Sequence, residues 1–192
     1  MKAKVIILNG PPGSGKDTIA DAMKSERVAH LEVKAKLFSQ AIEMSGIRSY
    51  HWFPRYYDRK LKETPWDLLG GLSQREFLIK ISEEWVKPIF GKNYYGVVAG
   101  KAAENELLYG NNVVFSDGGF QEEFDTIKSI VGDENILLVR LHREGTSWEG
   151  DSRGYLKNSD WEVDIENNGT VEEVVEYIKN EIRWKQEESE KK

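Results

Sequence analysis

The chain has no cysteine, which excludes disulfides, thiolate metal sites and cysteine nucleophiles. Histidine is scarce as well: His30, His51 and His142 are scattered, which argues against a zinc site built on imidazoles. No apolar run approaches the length of a membrane-spanning helix, and the opening run Val5-Ile6-Ile7-Leu8 is too short for a signal peptide. A soluble, cytoplasmic protein without a membrane partner is therefore expected. Positive charge is not in excess. Lys and Arg number 27 against 33 Asp and Glu, a net charge of −6, whereas a protein that coats nucleic acid is usually basic. A local basic cleft is compatible with that total, so a nucleic-acid acceptor stays open, as does a homodimer. There is no internal repeat and no low-complexity linker. At 192 residues the chain suits one α/β domain, about 1–184, followed by a polar tail at 185–192.

Strands and helices alternate along the sequence. Val5 to Leu8 reads as a strand buried on both faces, with a helix from about Gly15 to Ser25 after it. A short strand is expected around Leu31 to Val33, then a helix from Phe38 to Met44. Ser73 and Glu76 form a capping box that opens a helix carrying Phe77, Leu78, Ile81 and Trp85, with Pro88 as its stop. A helix from Tyr95 to Leu108, a strand Val113 to Phe115, a helix Gln121 to Val131 and a strand Ile136 to Leu141 follow. Trp161 to Ile165 alternates like a half-exposed strand, and Thr170 with Glu173 forms a second capping box before the last helix. The alternation predicts a mostly parallel sheet between helices, and the glycine-rich segment Gly10 to Lys16 between the first strand and its helix makes this a three-layer P-loop NTPase fold, with a helical insertion at about 45–108 and a lid segment at about 143–159.

The segment Gly10-Pro11-Pro12-Gly13-Ser14-Gly15-Lys16-Asp17-Thr18 follows a buried strand and opens a helix, the context a phosphate-binding loop requires. Glycine lets the backbone curl round an anion with N–H groups pointing inward, and the helix N-terminus adds partial positive charge there. Gly10, Gly13, Ser14, Gly15, Lys16, Asp17 and Thr18 are thus the expected ATP ligands, with Lys16 on the β- and γ-phosphates. The usual pattern has Ser or Thr directly after the lysine. Here Asp17 stands there and Thr18 comes next, the offset seen in adenylate-kinase-like enzymes. Thr18 and Asp17 are expected to hold Mg²⁺ or its water, although Asp17 also reads as a plain first-turn acid.

A second carboxylate is expected at the end of a neighbouring strand, and Asp117, before Gly118-Gly119, occupies such a place. Arginines should converge on the transferring phosphoryl group. Arg140 (on ATP), Arg143 and Arg153 (as catalytic lid residues) are the candidates, each also readable as a solvated surface charge. The stretch from 48 to 66 interleaves Trp52, Phe53, Tyr56, Tyr57 and Trp66 with Arg48, Arg55, Arg59, Lys60 and Lys62. It reads equally as a nucleotide pocket, with Trp52 and Arg55 binding the acceptor, or as the core of a small helical subdomain.

The sequence resembles the deoxynucleoside monophosphate kinases of tailed bacteriophages, of the T-even type. The likeness rests on Ser14-Gly15-Lys16-Asp17-Thr18 with Ile19-Ala20-Asp21, on Ala35 to Ile42, on Ser73-x-Arg75, on Val113 to Asp117 with Glu123 and Asp125, and on Asn167 to Glu173. It is colinear over nearly the whole chain, and only the phosphate loop is highly specific. The resemblance implies ATP- and Mg²⁺-dependent phosphorylation of a deoxynucleoside monophosphate, in the host cytoplasm. It also implies an acceptor region containing Phe38 and Arg75, with Arg75 on the acceptor phosphate. One departure is that Gly118 and Gly119 stand where the family has an arginine, so that Arg143 or Arg153 would replace it. The middle region is also shorter than in the T-even enzyme. The alternatives are a kinase acting on a modified base or an end in DNA, a small-metabolite kinase like those for dephospho-coenzyme A or phosphomevalonate, and a nucleotide-binding module without activity.

Overall fold

The computed structural model describes residues 4–151, 153–158 and 160–190, with side chains to residue 182. They fall into two compact units: Met1–Val33 with Gly96–Lys192, and Lys34–Tyr95. The second unit therefore begins and ends earlier than the expected insertion at 45–108. The reason lies in the helix Tyr94–Leu108 (α7), whose body carries Gly96 and Gly100 against a neighbouring helix of the first unit. A Cβ on Gly96 would lie 2.9 Å from the Glu123 backbone, and one on Gly100 would lie 2.7 Å from Ile130. Close approach of the two helices depends on both.

The first unit is built on five parallel strands in the order β2-β3-β1-β4-β5: β1 Val5–Asn9, β2 Val28–Leu31, β3 Asn112–Phe115, β4 Ile136–His142 and β5 Glu162–Glu166. The sheet is wholly parallel among the described residues. Central β1 is buried throughout, as its uninterrupted apolar run requires, and pairs with β3 through Val5↔Val113 and with β4 through Val5↔Ile136. Ile6 and Leu8 pack on one face with Ile19, Ala20 and Met23 of α1 (Lys16–Met23) and Val174, Val175 and Ile178 of α9 (Val171–Glu190). The helix facing Gly96 and Gly100 is α8 (Gln121–Val131), which buries Phe124, Ile127 and Val131.

Most expected elements appear within a residue or two. The exception is β2, expected at Leu31 to Val33 but formed by Val28–Leu31, where His30 faces Val114 in the ladder. It is a four-residue edge strand of intermediate burial, VAHL, too short to show either an alternating or a continuous apolar pattern. The polar tail expected from 185 continues α9 as far as Glu190, and residues 191–192 lie outside the described ones, as does Ser159 at the end of the expected lid. Among the described residues no helix is long and apolar enough to cross a membrane.

Edge strand β5 is fastened by charge. Arg140 on β4 donates Nε and Nη2 to the two oxygens of Asp164 at 3.0 and 2.7 Å, and Nη1 and Nη2 to Glu162 at 3.0 Å each. His142 Nε2 lies 2.6 Å from Asp164. The Arg140 guanidinium, helped by His142, lowers the Asp164 pKa from 3.8 to about 2. A depressed carboxyl stabilises the folded chain fully above about pH 4, and that contribution is lost as pH falls towards 2. Asp164→Asn is expected to lower the melting temperature at pH 7 and to narrow the gap from wild type steadily between pH 4 and pH 2. A gap unchanged across that range would refute the ion pair.

The second unit, Lys34–Tyr95, is helical. In order it contains α2 (Ala35–Ser45), α3 (Ser49–Tyr57), α4 (Arg59–Glu63), a 3-10 turn, and α5 (Gln74–Ile79) with the expected capping box at Ser73 and Glu76. Pro88 does not stop that helix. The chain passes through a π-helical stretch, Lys80–Val86, into α6 (Lys87–Phe90), where Pro88 occupies the first turn and needs no N–H partner; Gly91 ends the run. Trp52 is fully buried, with its carbonyl accepting from the Gln74 amide at 3.0 Å. Trp52→Ala is expected to cost about 3–5 kcal/mol of stability, measured by urea denaturation.

Candidate phosphate-binding site

The loop is shaped before any ligand arrives. It leaves the carboxyl end of β1, between β3 and β4, where connections depart to opposite sides of the sheet and ligands of open α/β folds bind. Asn9, fully buried at that end, donates to the carbonyls of Gly118 (3.2 Å) and Gly154 (3.3 Å) and accepts from Leu156 N at 2.9 Å. Within the loop Ser14 N donates to the Pro11 carbonyl at 3.1 Å. Gly15 has φ +91°, and a Cβ there would meet the Asn167 amide at 2.7 Å. A Cβ on Gly10 would meet Ser14 Oγ at 2.6 Å and the Leu141 carbonyl at 2.8 Å. Contact thus requires a glycine at 10, and contact and conformation together require one at 15.

The Lys16 ammonium folds back over the curl and donates to the carbonyls of Gly10 (2.7 Å) and Pro11 (2.9 Å) and to Ser14 Oγ (3.3 Å). No side chain caps the N-terminus of α1. Its outward N–H groups and the nearby ammonium form the environment that attracts a phosphate. Asp17 and Thr18 are exposed on the first turn. Asp17 Oδ1 accepts from Ser116 Oγ at 2.7 Å, and Ser116 Oγ is 2.9 Å from His30 Nε2. Asn167 reaches in from beyond β5 and donates to the Ser14 carbonyl at 2.6 Å, while its own N–H donates to the His142 carbonyl at 2.7 Å. Ser116, His30 and Asn167 were not singled out from sequence. Ser116 and Asn167 lay within the segments that carry the resemblance, at Val113 to Asp117 and Asn167 to Glu173, but had no role of their own there.

The other expected residues divide. Asp117 lies at the end of β3, with Oδ1 accepting from Val33 N at 2.8 Å. Arg143 lies beside the loop: its Nη1 is 3.5 Å from the place of a Gly15 Cβ, and its guanidinium makes no hydrogen bond or ion pair with the described residues. Arg153 is bound to both Asp151 oxygens at 2.8 and 2.7 Å. Its stem lies over Gly119, where a Cβ would meet Cδ at 2.5 Å. The bare Gly119 therefore makes room for an arginine from another segment. Arg140, expected on ATP, is instead committed to Glu162 and Asp164, because β5 places two carboxylates opposite it.

No protein-family model matches the sequence, and no curated protein does. Solved structures do. A sugar kinase from Janibacter sp. HTCC2649 superposes with a TM-score of 0.53 at 11% identity, covering 94% of this chain and 95% of that one. A gluconokinase from Sinorhizobium meliloti 1021 gives 0.45 at 13% identity, covering 99% and 97%. What is shared is the fold. It is an α/β fold with a parallel sheet flanked by helices.

The groups such a loop implies, a nucleotide and its Mg²⁺, find suitable side chains here. Among the described residues no three His, Cys, Asp or Glu side chains gather into a metal cage. Mg²⁺ carried on nucleotide phosphates needs only one or two protein ligands, and Asp17, Thr18 and Asp117 supply suitable oxygens.

Within the second unit, two of the residues expected to bind the acceptor turn out to be structural. Trp52 and Phe38 are buried at 0 and 3% exposure, and Phe38 meets Phe53 and Tyr56 edge-on. Arg55 stacks 4.8 Å above Trp66 and donates to the carbonyls of Thr64 and Pro65, closing a turn. Arg75 stays half-exposed on the first turn of α5, 3.5 Å from Glu63. It has company that the sequence did not rank: the Lys62 ammonium sits over Tyr56 at 5.3 Å. Burial, then the cations Arg75, Lys34 and Arg59, hold its pKa below the usual lysine value against the opposing pull of Glu63.

Proposed function

We propose that the chain is an ATP- and Mg²⁺-dependent phosphotransferase whose acceptor is a small (deoxy)nucleoside monophosphate. One observation carries the reading: the Lys16 ammonium closes over a glycine curl at a helix N-terminus that no described side chain caps, with the Arg143 guanidinium, unpartnered among the described residues, beside it. Lys16 exchanges the carbonyls of Gly10 and Pro11 for phosphate oxygens. Thr18, Asp17 and Asp117 hold the cation or its waters, which neutralises charge developing on the phosphoryl oxygens. Arg143 and Arg153 meet the transferring group, Arg153 by leaving Asp151. Positioning and electrostatics then suffice for catalysis, with no covalent enzyme intermediate.

The acceptor assignment has its own support. Lys62 gathers with Arg75, Lys34 and Arg59, and such like-charged neighbours favour an anionic ligand over a neutral one. The sugar-kinase name of the Janibacter neighbour supplies a second reading, a neutral hydroxyl acceptor.

The deciding experiment incubates the protein with ATP and Mg²⁺ against ribo- and deoxyribonucleoside monophosphates, including modified pyrimidines, against sugars, and against oligonucleotides. Chromatography then follows the products. Diphosphate formation from a monophosphate is expected. Phosphorylation of sugars or oligonucleotides alone would overturn the acceptor. Turnover of none of them would leave a nucleotide-binding module.

A further inference from the structure

Four side chains of the first unit form one hydrogen-bonded line beside the phosphate loop. Ser116, 1% exposed at the end of β3, has its hydroxyl 2.7 Å from Asp17 Oδ1 and 2.9 Å from His30 Nε2. His30 Nδ1 lies 3.1 Å from Asp21 Oδ1, and Asp21 also pairs with Lys24 at 2.9 Å. Two of these residues come from α1, one from β2 and one from the end of β3.

Proton counting orders the line. A carboxylate only accepts, so the single Ser116 proton goes to Asp17. His30 Nε2 lies against the Ser116 oxygen and holds the hydroxyl in place; without that hydroxyl Asp17 would lose its donor. With the hydroxyl buried, water is no ready substitute. Asp21 holds the ring from the opposite side and keeps Nε2 aimed at Ser116. Asp17 has no other side-chain hydrogen bond to the described residues, which leaves its second oxygen for a ligand.

We propose that Ser116 and His30 are positioning residues for the nucleotide-borne divalent cation. Through one fixed hydrogen bond they lock the carboxylate of Asp17, which stands where phosphate loops usually present a hydroxyl to the metal. This rests on reading the loop as the ATP·Mg²⁺ site. Residues that orient a metal ligand are typically worth 10- to 100-fold in metal affinity.

The test measures Mn²⁺ binding to the protein loaded with a non-hydrolysable ATP analogue, by electron paramagnetic resonance, beside analogue binding in EDTA by calorimetry. Ser116→Ala and His30→Phe are each expected to weaken the cation by roughly 10- to 100-fold and to leave metal-free analogue binding unchanged. In an Asp17→Asn background Ser116→Ala should add nothing, because its effect passes through Asp17. Unchanged cation affinity or an additive effect on Asp17→Asn would each overturn the proposal. Wild-type protein that binds no analogue at all would instead sink the nucleotide reading beneath it.

Discussion

Lys16→Ala is expected to remove phosphoryl transfer, by at least about a thousandfold in kcat/KM, while the protein stays folded. In the free protein the ammonium bonds to the carbonyls of Gly10 and Pro11 and to Ser14 Oγ. These loop residues are buried, so leaving their acceptors without the ammonium costs about 1–3 kcal/mol of stability. The catalytic loss is far larger because a point charge beside the β- and γ-phosphates acts most strongly where charge develops. Steady-state kinetics with the acceptor found in the screen, and a thermal melt of the same preparation, check both halves. A variant that keeps most of its activity would refute the role of the loop.

Arg143→Ala should come next, with kcat lowered by about a thousandfold and KM for ATP little changed. Its guanidinium stands over Gly15 without a hydrogen bond or ion pair to the described residues, so its removal leaves nothing unsatisfied and the melting temperature should not move. Arg143→Lys should recover only part of the rate, because an ammonium lacks the planar fork that meets two phosphoryl oxygens together. If KM rose instead and kcat held, Arg143 would be binding the ground state of the nucleotide alone.

The elements were legible in the sequence where one physical signal acted alone. The unbroken apolar run of β1 could only be a strand buried on both faces, and the capping boxes at Ser73 and Thr170 mark helix starts in the structure. The phosphate loop was legible because its spacing is local. What escaped was whatever depends on long-range pairing. Ser116 meets a histidine 86 positions away, and Asn167 meets a carbonyl 153 positions away; no window of sequence contains either pair. Trp52 could not be sorted between pocket and core, since a ring suits both until burial is known, and Phe38, expected in the acceptor region, is buried too. Arg140 was misread for a related reason: its partners on β5 lie 22 and 24 residues downstream, brought opposite it by strand register.

The Asn167 clamp has a consequence for any shortened form of this chain. The glycine motif lies wholly within the first eighteen residues, but the amide that grips the Ser14 carbonyl arrives only after the fifth strand. A fragment ending before residue 160 would carry every letter of the signature and lack the brace that sets its curvature. The signature is a local string, whereas its shape belongs to the completed sheet.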